Sequence, residues 1–374
     1  MGGWKEFSLF HVLMFITFLA SGLLINLVQL VIWVVLVRIL GDRRLFRRFN
    51  YYCIYLIYGQ LLFLADWWSG SEVRIFSSMA REVQGRESAL IIMNHHYELD
   101  WLYGWMVGDR ASILGNCRVY VKKAIQWVPV IGWAWNFSDT LFLARDWSRD
   151  QTIIDKVLVD LQDYPSPVWI LLFPEGTRYT KDKYEASKTF AESRGLPVLK
   201  HHLVPRTKGF TYTLSRLDKE KISCIYDVTL GCDTEVRPTL TNVLLGRKTR
   251  ANMFIRRIDI RDVPEEETAA AQWLSDLYTE KDEILDTFHR TGSFPTELAG
   301  ETVPARPWTL LISLALNLST LAAILLAMTS AGTLGLLGGG LVLVLASFGI
   351  KYFINITKIS KSSSYGGGGD KKKE

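Results

Sequence analysis

Two stretches of the chain, residues 7–37 and 307–350, carry no formal charge, and between them apolar and polar residues alternate in short blocks. Each uncharged stretch exceeds the roughly 20 residues an α-helix needs to cross a bilayer. The first is also longer than the apolar region of a signal peptide, about 7 to 15 residues, and no small-residue cleavage site precedes its basic flank. It therefore predicts a membrane anchor within residues 1–45. The second is interrupted at Thr329-Ser330-Ala331-Gly332 and predicts two helices, near 308–328 and 333–353, paired as a transmembrane hairpin over 301–355. Gly335 and Gly339 form a G-x-x-x-G, which contact within the hairpin or between copies would equally explain.

Residues 46–300 read as an α/β domain, a mixed sheet flanked by helices. Apolar, β-rich runs at 89–93, 118–121, 168–173, 222–229 and 253–258 predict strands, and segments 99–107, 152–164 and 265–288 predict helices between them. The last begins after Pro264 with three glutamates and carries Trp273, Leu274, Leu277, Ile284, Leu285 and Phe288 at helical spacing. Residues 43–68 mix cations with aromatics, which fits an amphipathic segment at a membrane interface and equally a helix packed on the domain. Residues 356–374, rich in Lys, Ser and Gly, predict a flexible cytosolic tail.

Composition agrees with this division. Hydrophobic residues make up 49% of the chain, with 13 Trp, 15 Tyr and 18 Phe, rich for a purely soluble protein, and the two uncharged stretches account for the excess. The net charge of +5 suits a protein lying against anionic lipid and handling phosphorylated substrates, and is too mild and scattered to argue for nucleic acid. Arg38, Arg43, Arg44, Arg47 and Arg48 follow the first stretch, and Lys351, Lys358, Lys361 and Lys371 to Lys373 follow the second. The positive-inside rule then puts both flanks, and the domain between them, in the cytosol. The four cysteines, Cys53, Cys117, Cys224 and Cys232, have no metal-ligand spacing and are expected as free thiols in the core. No G-x-G-x-x-G and no P-loop occurs, so dinucleotide and nucleoside-triphosphate chemistry is not indicated, and no cofactor or metal is expected.

The polar heptapeptide Asn94-His95-His96-Tyr97-Glu98-Leu99-Asp100 directly follows the apolar run 89–93. On one helix His95 and Asp100 would point about 140° apart, so they can meet only across a turn, where the carboxylate would fix the ring tautomer and leave the other nitrogen as a base. His96 and Asp100, four apart, form a rival pair on one helical face, and spacing does not choose between them. Three cationic segments follow. Lys122 and Lys123 come after a strand and precede a Pro/Gly-punctuated apolar surface, with Arg145 ending a later apolar run. Phe173-Pro174-Glu175-Gly176-Thr177-Arg178 follows another strand, with Gly176 permitting a tight turn and Arg178 able to grip a phosphate. Val204-Pro205-Arg206-Thr207-Lys208-Gly209-Phe210 is again a turn of cations beside Pro and Gly.

Taken in order, N-H-x-x-x-x-D, K-K followed by P-x-x-G, a later Arg, F-P-E-G-T-R and a V-P turn resemble the glycerolipid acyltransferases, specifically the gamma/delta type of 1-acylglycerol-3-phosphate acyltransferase. Residues 196–200, 205–210, 226–230 and 306–310 and the Lys-rich end extend the likeness over nearly the whole chain. The resemblance implies transfer of an acyl chain from acyl-CoA to the sn-2 hydroxyl of lysophosphatidic acid at a lipid bilayer, giving phosphatidic acid. His95, rather than His96, would be the general base and Asp100 its support. Arg178, with Lys122, Lys123 and Arg145, would hold the acceptor phosphate, Glu175 and Gly176 would shape the acceptor pocket, and Pro205 would line the acyl-CoA side. One departure is Ala124, where many members carry Glu. Lys371 and Lys372 resemble an endoplasmic-reticulum retrieval signal read by coat proteins, which implies residence in the endoplasmic reticulum membrane, with the Golgi and nuclear envelope as further sites. Two alternatives stand beside this reading: an acyltransferase for another lysophospholipid such as lysophosphatidylinositol, and a non-catalytic membrane-shaping protein of the secretory pathway.

Overall fold

The structure, a computed structural model, describes residues 5–6, 8–77, 85–233, 235–296 and 300–357. The predicted tail beyond residue 357, with Lys371 and Lys372, lies outside the described residues.

In chain order the strands are β1 (Glu72–Phe76), β2 (Ser88–Met93), β3 (Cys117–Lys122), β4 (Leu141–Leu143), β5 (Trp169–Leu172), β6 (Ile222–Cys232), β7 (Arg250–Asp259) and β8 (Glu301–Thr302). They form one mixed sheet in the order β4-β3-β5-β2-β6-β7-β1-β8. From β4 to β6 all neighbours are parallel, β7 runs antiparallel to β6, and β8 antiparallel to β1. Period-two alternation assigns the faces. Ala89, Ile91, Met93, Val119, Leu171, Tyr226 and Val228 point into one core. Leu90, Ile92, Ile170, Leu172 and Ile225 point into the other. The five predicted strands are all present; β1, β4 and β8 were not predicted.

The helices are α1 (Ser8–Trp33, continued by a π-helical turn to Ile39), α2 (Arg43–Phe63), α3 (Asp100–Arg110), α4 (Ile131–Asn136), α5 (Trp147–Gln162), α6 (Lys181–Arg194), α7 (Thr207–Leu214), α8 (Leu240–Leu244), α9 (Glu267–Thr291), α10 (Pro307–Ser330) and α11 (Gly332–Thr357). Helices α2 and α3 cover the first face of the sheet, and α5, α7 and α9 the second. The Glu266 side chain caps α9 by accepting from the Thr268 and Ala269 N–H groups, which explains why that start was legible. Residues 43–68 are a domain-packed helix: Ile54, Ile57, Tyr58 and Leu62 of α2 are buried in the first core.

Among the described residues two helices are long and apolar enough to cross a membrane, Ser8–Ile39 and Pro307–Ser330. The expected C-terminal hairpin is only partly there. Among the described residues α11 contributes only a shorter apolar stretch, Gly332–Ala346. The G-x-x-x-G faces α10: a Cβ on Gly335 would lie 2.1 Å from the Met328 carbonyl oxygen and one on Gly339 2.0 Å from Met328 Cε. Contact within the chain therefore explains Gly335, which meets backbone, whereas Gly339 meets the flexible end of the Met328 side chain.

Helix α1 has a buried polar stripe. Thr17 Oγ1 donates to Asn317 Oδ1 of α10 (2.8 Å), Ser21 Oγ to Gln60 Oε1 (3.0 Å), and Gln29 Nε2 to Asn50 Oδ1 (2.7 Å) of α2. In apolar surroundings such bonds join helices that oily side chains alone would leave free to slide. The opposite side of α1, including Leu24, Leu27 and Val31, is exposed.

Candidate active site

The carboxyl ends of four adjacent parallel strands meet at one place. Taken across the sheet, β4 leads to Arg145, β3 ends on Lys122, β5 leads to Glu175, Gly176 and Arg178, and β2 leads to His95. In parallel α/β sheets this edge is where ligands bind, because the chain turns away there and leaves backbone and side chains facing a crevice. Here it opens on a cavity of about 1880 Å³.

The His95–Asp100 turn forms as the spacing requires. His95 Nδ1 lies 2.9 Å from Asp100 Oδ2, across the start of α3. The same carboxylate accepts the His96 N–H at 2.8 Å and the Tyr97 N–H at 3.0 Å, so it also closes the turn that presents the imidazole. Asp100 is wholly buried; burial pushes its carboxyl pKa up, against the pull of His95 and the two N–H groups. With Nδ1 toward the carboxylate, Nε2 is left as the acceptor, and the ring, 21% exposed and stacked on Phe173 at 4.3 Å, lines the cavity.

His96 does something else. It stacks on Tyr179 at 4.5 Å, is absent from the cavity wall, and burial holds its pKa down to about 3. The ring is packed between Tyr97 and Tyr179.

Glu175 joins the two strand ends. One oxygen accepts the His95 N–H (2.9 Å) and the other the Leu203 N–H (3.1 Å). Its pKa is pushed up to about 8, with burial outweighing the two donors. Gly176 has φ 68°, so the turn needs glycine for its conformation, and a Cβ there would come within 2.9 Å of Arg206 Cδ and displace that side chain. The Arg206 N–H donates to the Pro174 carbonyl at 2.8 Å, which lays Pro205 and Arg206 along the cavity. The predicted V-P turn is thus short: Thr207 onward is α7.

Lys122, Arg145, Glu175, Gly176, Arg178 and Pro205 all line the cavity with His95; Lys123 and Ala124 do not. Arg145 also adopts a positive φ of 64°, held by Asp150, whose carboxylate accepts the Ala144 and Arg145 N–H groups at 2.7 and 3.1 Å. Sequence reading missed Lys183, in the first turn of α6, whose Nζ donates to Thr177 Oγ1 (2.6 Å) and the Arg178 carbonyl (3.2 Å). Burial, then Lys122, Arg178, Arg145 and Arg206, lowers its pKa; burial, then Arg145 and Arg178, lowers that of Lys122. Cations that depress one another gain most from a bound anion. Beyond the cations the wall is apolar, with Ile91, Met93, Trp105, Val228, Met253 and Ile255 reaching into the first core. No group of three or more His, Cys, Asp or Glu that could hold a metal occurs among the described residues.

A family model described as Acyltransferase matches residues 74–229, and one described as Acyltransferase C-terminus matches residues 242–316. The chain is 39% identical to 1-acyl-sn-glycerol-3-phosphate acyltransferase delta of Pongo abelii over 99% of this chain and 97% of that one. It is 40% identical to the gamma protein of Homo sapiens over 97% and 96%. The crystal structure of the 1-acyl-sn-glycerophosphate acyltransferase PlsC from Thermotoga maritima covers 71% of this chain and 95% of its own at 15% identity, with a TM-score of 0.41. By identity over its whole length, the chain belongs to the 1-acyl-sn-glycerol-3-phosphate acyltransferase family.

Proposed function

We propose that this cavity transfers an acyl chain from acyl-CoA to the sn-2 hydroxyl of lysophosphatidic acid, with His95 as general base. The observation that carries the reading is the convergence of the His95–Asp100 pair and the cations of three further strand ends on one cavity with an apolar interior. His95 Nε2 takes the proton of the acceptor hydroxyl as its oxygen attacks the thioester carbonyl carbon. Asp100 holds the tautomer and stabilises the imidazolium. Collapse of the tetrahedral adduct breaks the C–S bond, and the departing thiolate takes the proton back from the ring. No covalent acyl-enzyme is required.

Arg178, Lys122 and Arg145 hold the acceptor phosphate, and Lys123, exposed on the 3₁₀ turn after β3, meets anionic lipid outside. Glu175 and Gly176 shape the acceptor side, Pro205 lies along the donor side, and the acyl chain occupies the apolar interior. Arg178→Met is expected to raise KM for lysophosphatidic acid by about 10- to 100-fold, the worth of one charged hydrogen-bonded contact, with a smaller change in KM for acyl-CoA. An acceptor panel on purified protein tests the substrate: faster turnover of lysophosphatidylinositol than of lysophosphatidic acid would overturn the assignment.

The protein works in the endoplasmic reticulum membrane with the sheet domain in the cytosol and α10 and α11 as a hairpin. The basic flanks and the exposed apolar side of α1 support this. Coat proteins read Lys371 and Lys372 from the same side. In sealed microsomes a C-terminal epitope should be digested by added protease; protection would reverse the orientation.

A further inference from the structure

Val130 has φ 68° and ψ −73°, and the Ile131 N–H donates to the Pro129 carbonyl at 2.9 Å. This is a three-residue γ-turn of the strained hand, centred on a β-branched residue that rarely takes positive φ. Such a conformation persists only where its surroundings over-determine it, and it gathers at places where strain is used.

The surroundings here are the first helix. Val130 is fully buried, and its side chain fills the space that glycine leaves at position 22 of α1: a Cβ on Gly22 would lie 2.4 Å from Val130 Cγ1. The Val130 carbonyl accepts from Asn26 Nδ2 at 3.2 Å. Asn26 Nδ2 also donates to Gln29 Oε1 (3.0 Å), Gln29 Nε2 to Asn50 Oδ1 (2.7 Å), and Asn50 Nδ2 to the Phe137 carbonyl (2.9 Å). One polar chain through α1 and α2 thus grips both ends of segment 130–137. The segment is also tight within itself, since a Cβ on Gly132 would lie 2.0 Å from the Ile125 carbonyl oxygen. Its other side is the cavity, where Ile125, Val128, Ile131 and Trp135 form part of the apolar wall.

We infer that α1 sets the width of the acyl-chain tunnel through the Val130 turn, which makes Gly22, Asn26 and Val130 positioning residues for acyl-donor selectivity. The inference rests on the reading that the apolar interior holds the acyl chain. None of the three touches the chain; they fix the residues that do. The strained turn places Val128 and Ile131 against the tunnel only while Gly22 receives the valine and Asn26 holds its carbonyl. A single methylene in an apolar pocket alters kcat/KM by about 10- to 200-fold, so a small displacement of this wall is enough to reorder donors.

The test uses the full-length protein in lipid nanodiscs, assayed with short-, medium- and long-chain acyl-CoA at saturating lysophosphatidic acid. Gly22→Ala drives a methyl group into Val130 and should raise KM for the long-chain donor about tenfold relative to the short-chain donor, with kcat on the short-chain donor within about twofold of wild type. Adding Val130→Ala to Gly22→Ala should restore the ratio, which a merely structural lesion would not do. Asn26→Ala deletes the hydrogen bonds to the Val130 carbonyl and Gln29 Oε1 without adding volume and should shift the ratio in a protein that folds even where Gly22→Ala does not accumulate. An unchanged donor ratio in Asn26→Ala, or a uniform fall across all donors in Gly22→Ala, would overturn the inference. Met253→Trp, which narrows the tunnel from the sheet side, separates the two levels. If it shifts the donor profile and the α1 variants do not, this inference alone fails; if none of them shifts it, the tunnel reading fails with it.

Discussion

His95→Ala is expected to lower kcat for acyl transfer by about 10²- to 10⁴-fold, the usual worth of a positioned general base, in membranes assayed with labelled acyl-CoA. The ring that is lost lines the cavity and holds Nδ1 at 2.9 Å from a fully buried carboxylate, so its Nε2 is already in the accepting tautomer. Asp100→Asn should approach the same loss. An amide can present either a donor or an acceptor to Nδ1, and when it presents a donor it turns the imidazole to the tautomer that cannot accept from the hydroxyl. It also weakens the bonds that close the turn at His96 and Tyr97. His96→Ala should stay within about tenfold of wild type, because that imidazole, with its pKa near 3, is too weak a base, and it lies with its face on Tyr179 away from the cavity. If His96→Ala falls as far as His95→Ala, the base has been assigned to the wrong ring.

The choice between these histidines shows where sequence reading runs out. The separation of His95 and Asp100 by five residues excludes one helical face, which made a turn predictable, but burial decides which ring is usable, and burial is a long-range property. The same limit applies to the strand ends. Runs such as 89–93 and 168–173 are apolar on both faces and announce themselves, whereas the order β4-β3-β5-β2, which lines up Arg145, Lys122, Glu175 and His95, comes from pairing between distant segments. Strand β4 has three residues, too few to establish a period. Helix α6 has a single buried residue, Ala191, so it offered no apolar stripe, and Lys183 in its first turn passed unnoticed. Helix α1 was read for its hydropathy as an anchor. Its Thr17 and Ser21, four apart, and Asn26 and Gln29, three apart, are polar pairs at helical spacing inside an apolar helix, and that was the available sign of a second task.

Lys281→Met is expected to destabilise the domain by about 3 to 5 kcal/mol, seen as a lowered midpoint of thermal inactivation in detergent. Lys281 projects from α9 into the sheet with no exposed surface, and its Nζ donates to Asp227 Oδ1 (2.6 Å), the Val228 carbonyl (2.7 Å) and Thr229 Oγ1 (3.2 Å) of β6. Methionine fills nearly the same volume, so the loss comes from three buried acceptors left without their donor rather than from a cavity. Asp227 keeps Arg256 on its other oxygen at 2.7 Å, so its charge stays paired in Lys281→Met. The effect should reach catalysis through the next residue. Asp282 accepts the Lys200 and His201 N–H groups at 2.7 and 2.8 Å and the His202 ring at 2.9 Å, holding the segment whose Leu203 N–H bonds Glu175, which in turn holds the His95 N–H. Loosening α9 from β6 therefore loosens the turn that aims the base, and Lys281→Met should lose kcat at temperatures well below its inactivation midpoint. A variant with wild-type stability would show that the buried ammonium is held at no net gain, and full activity close to the midpoint would break the link from α9 to His95.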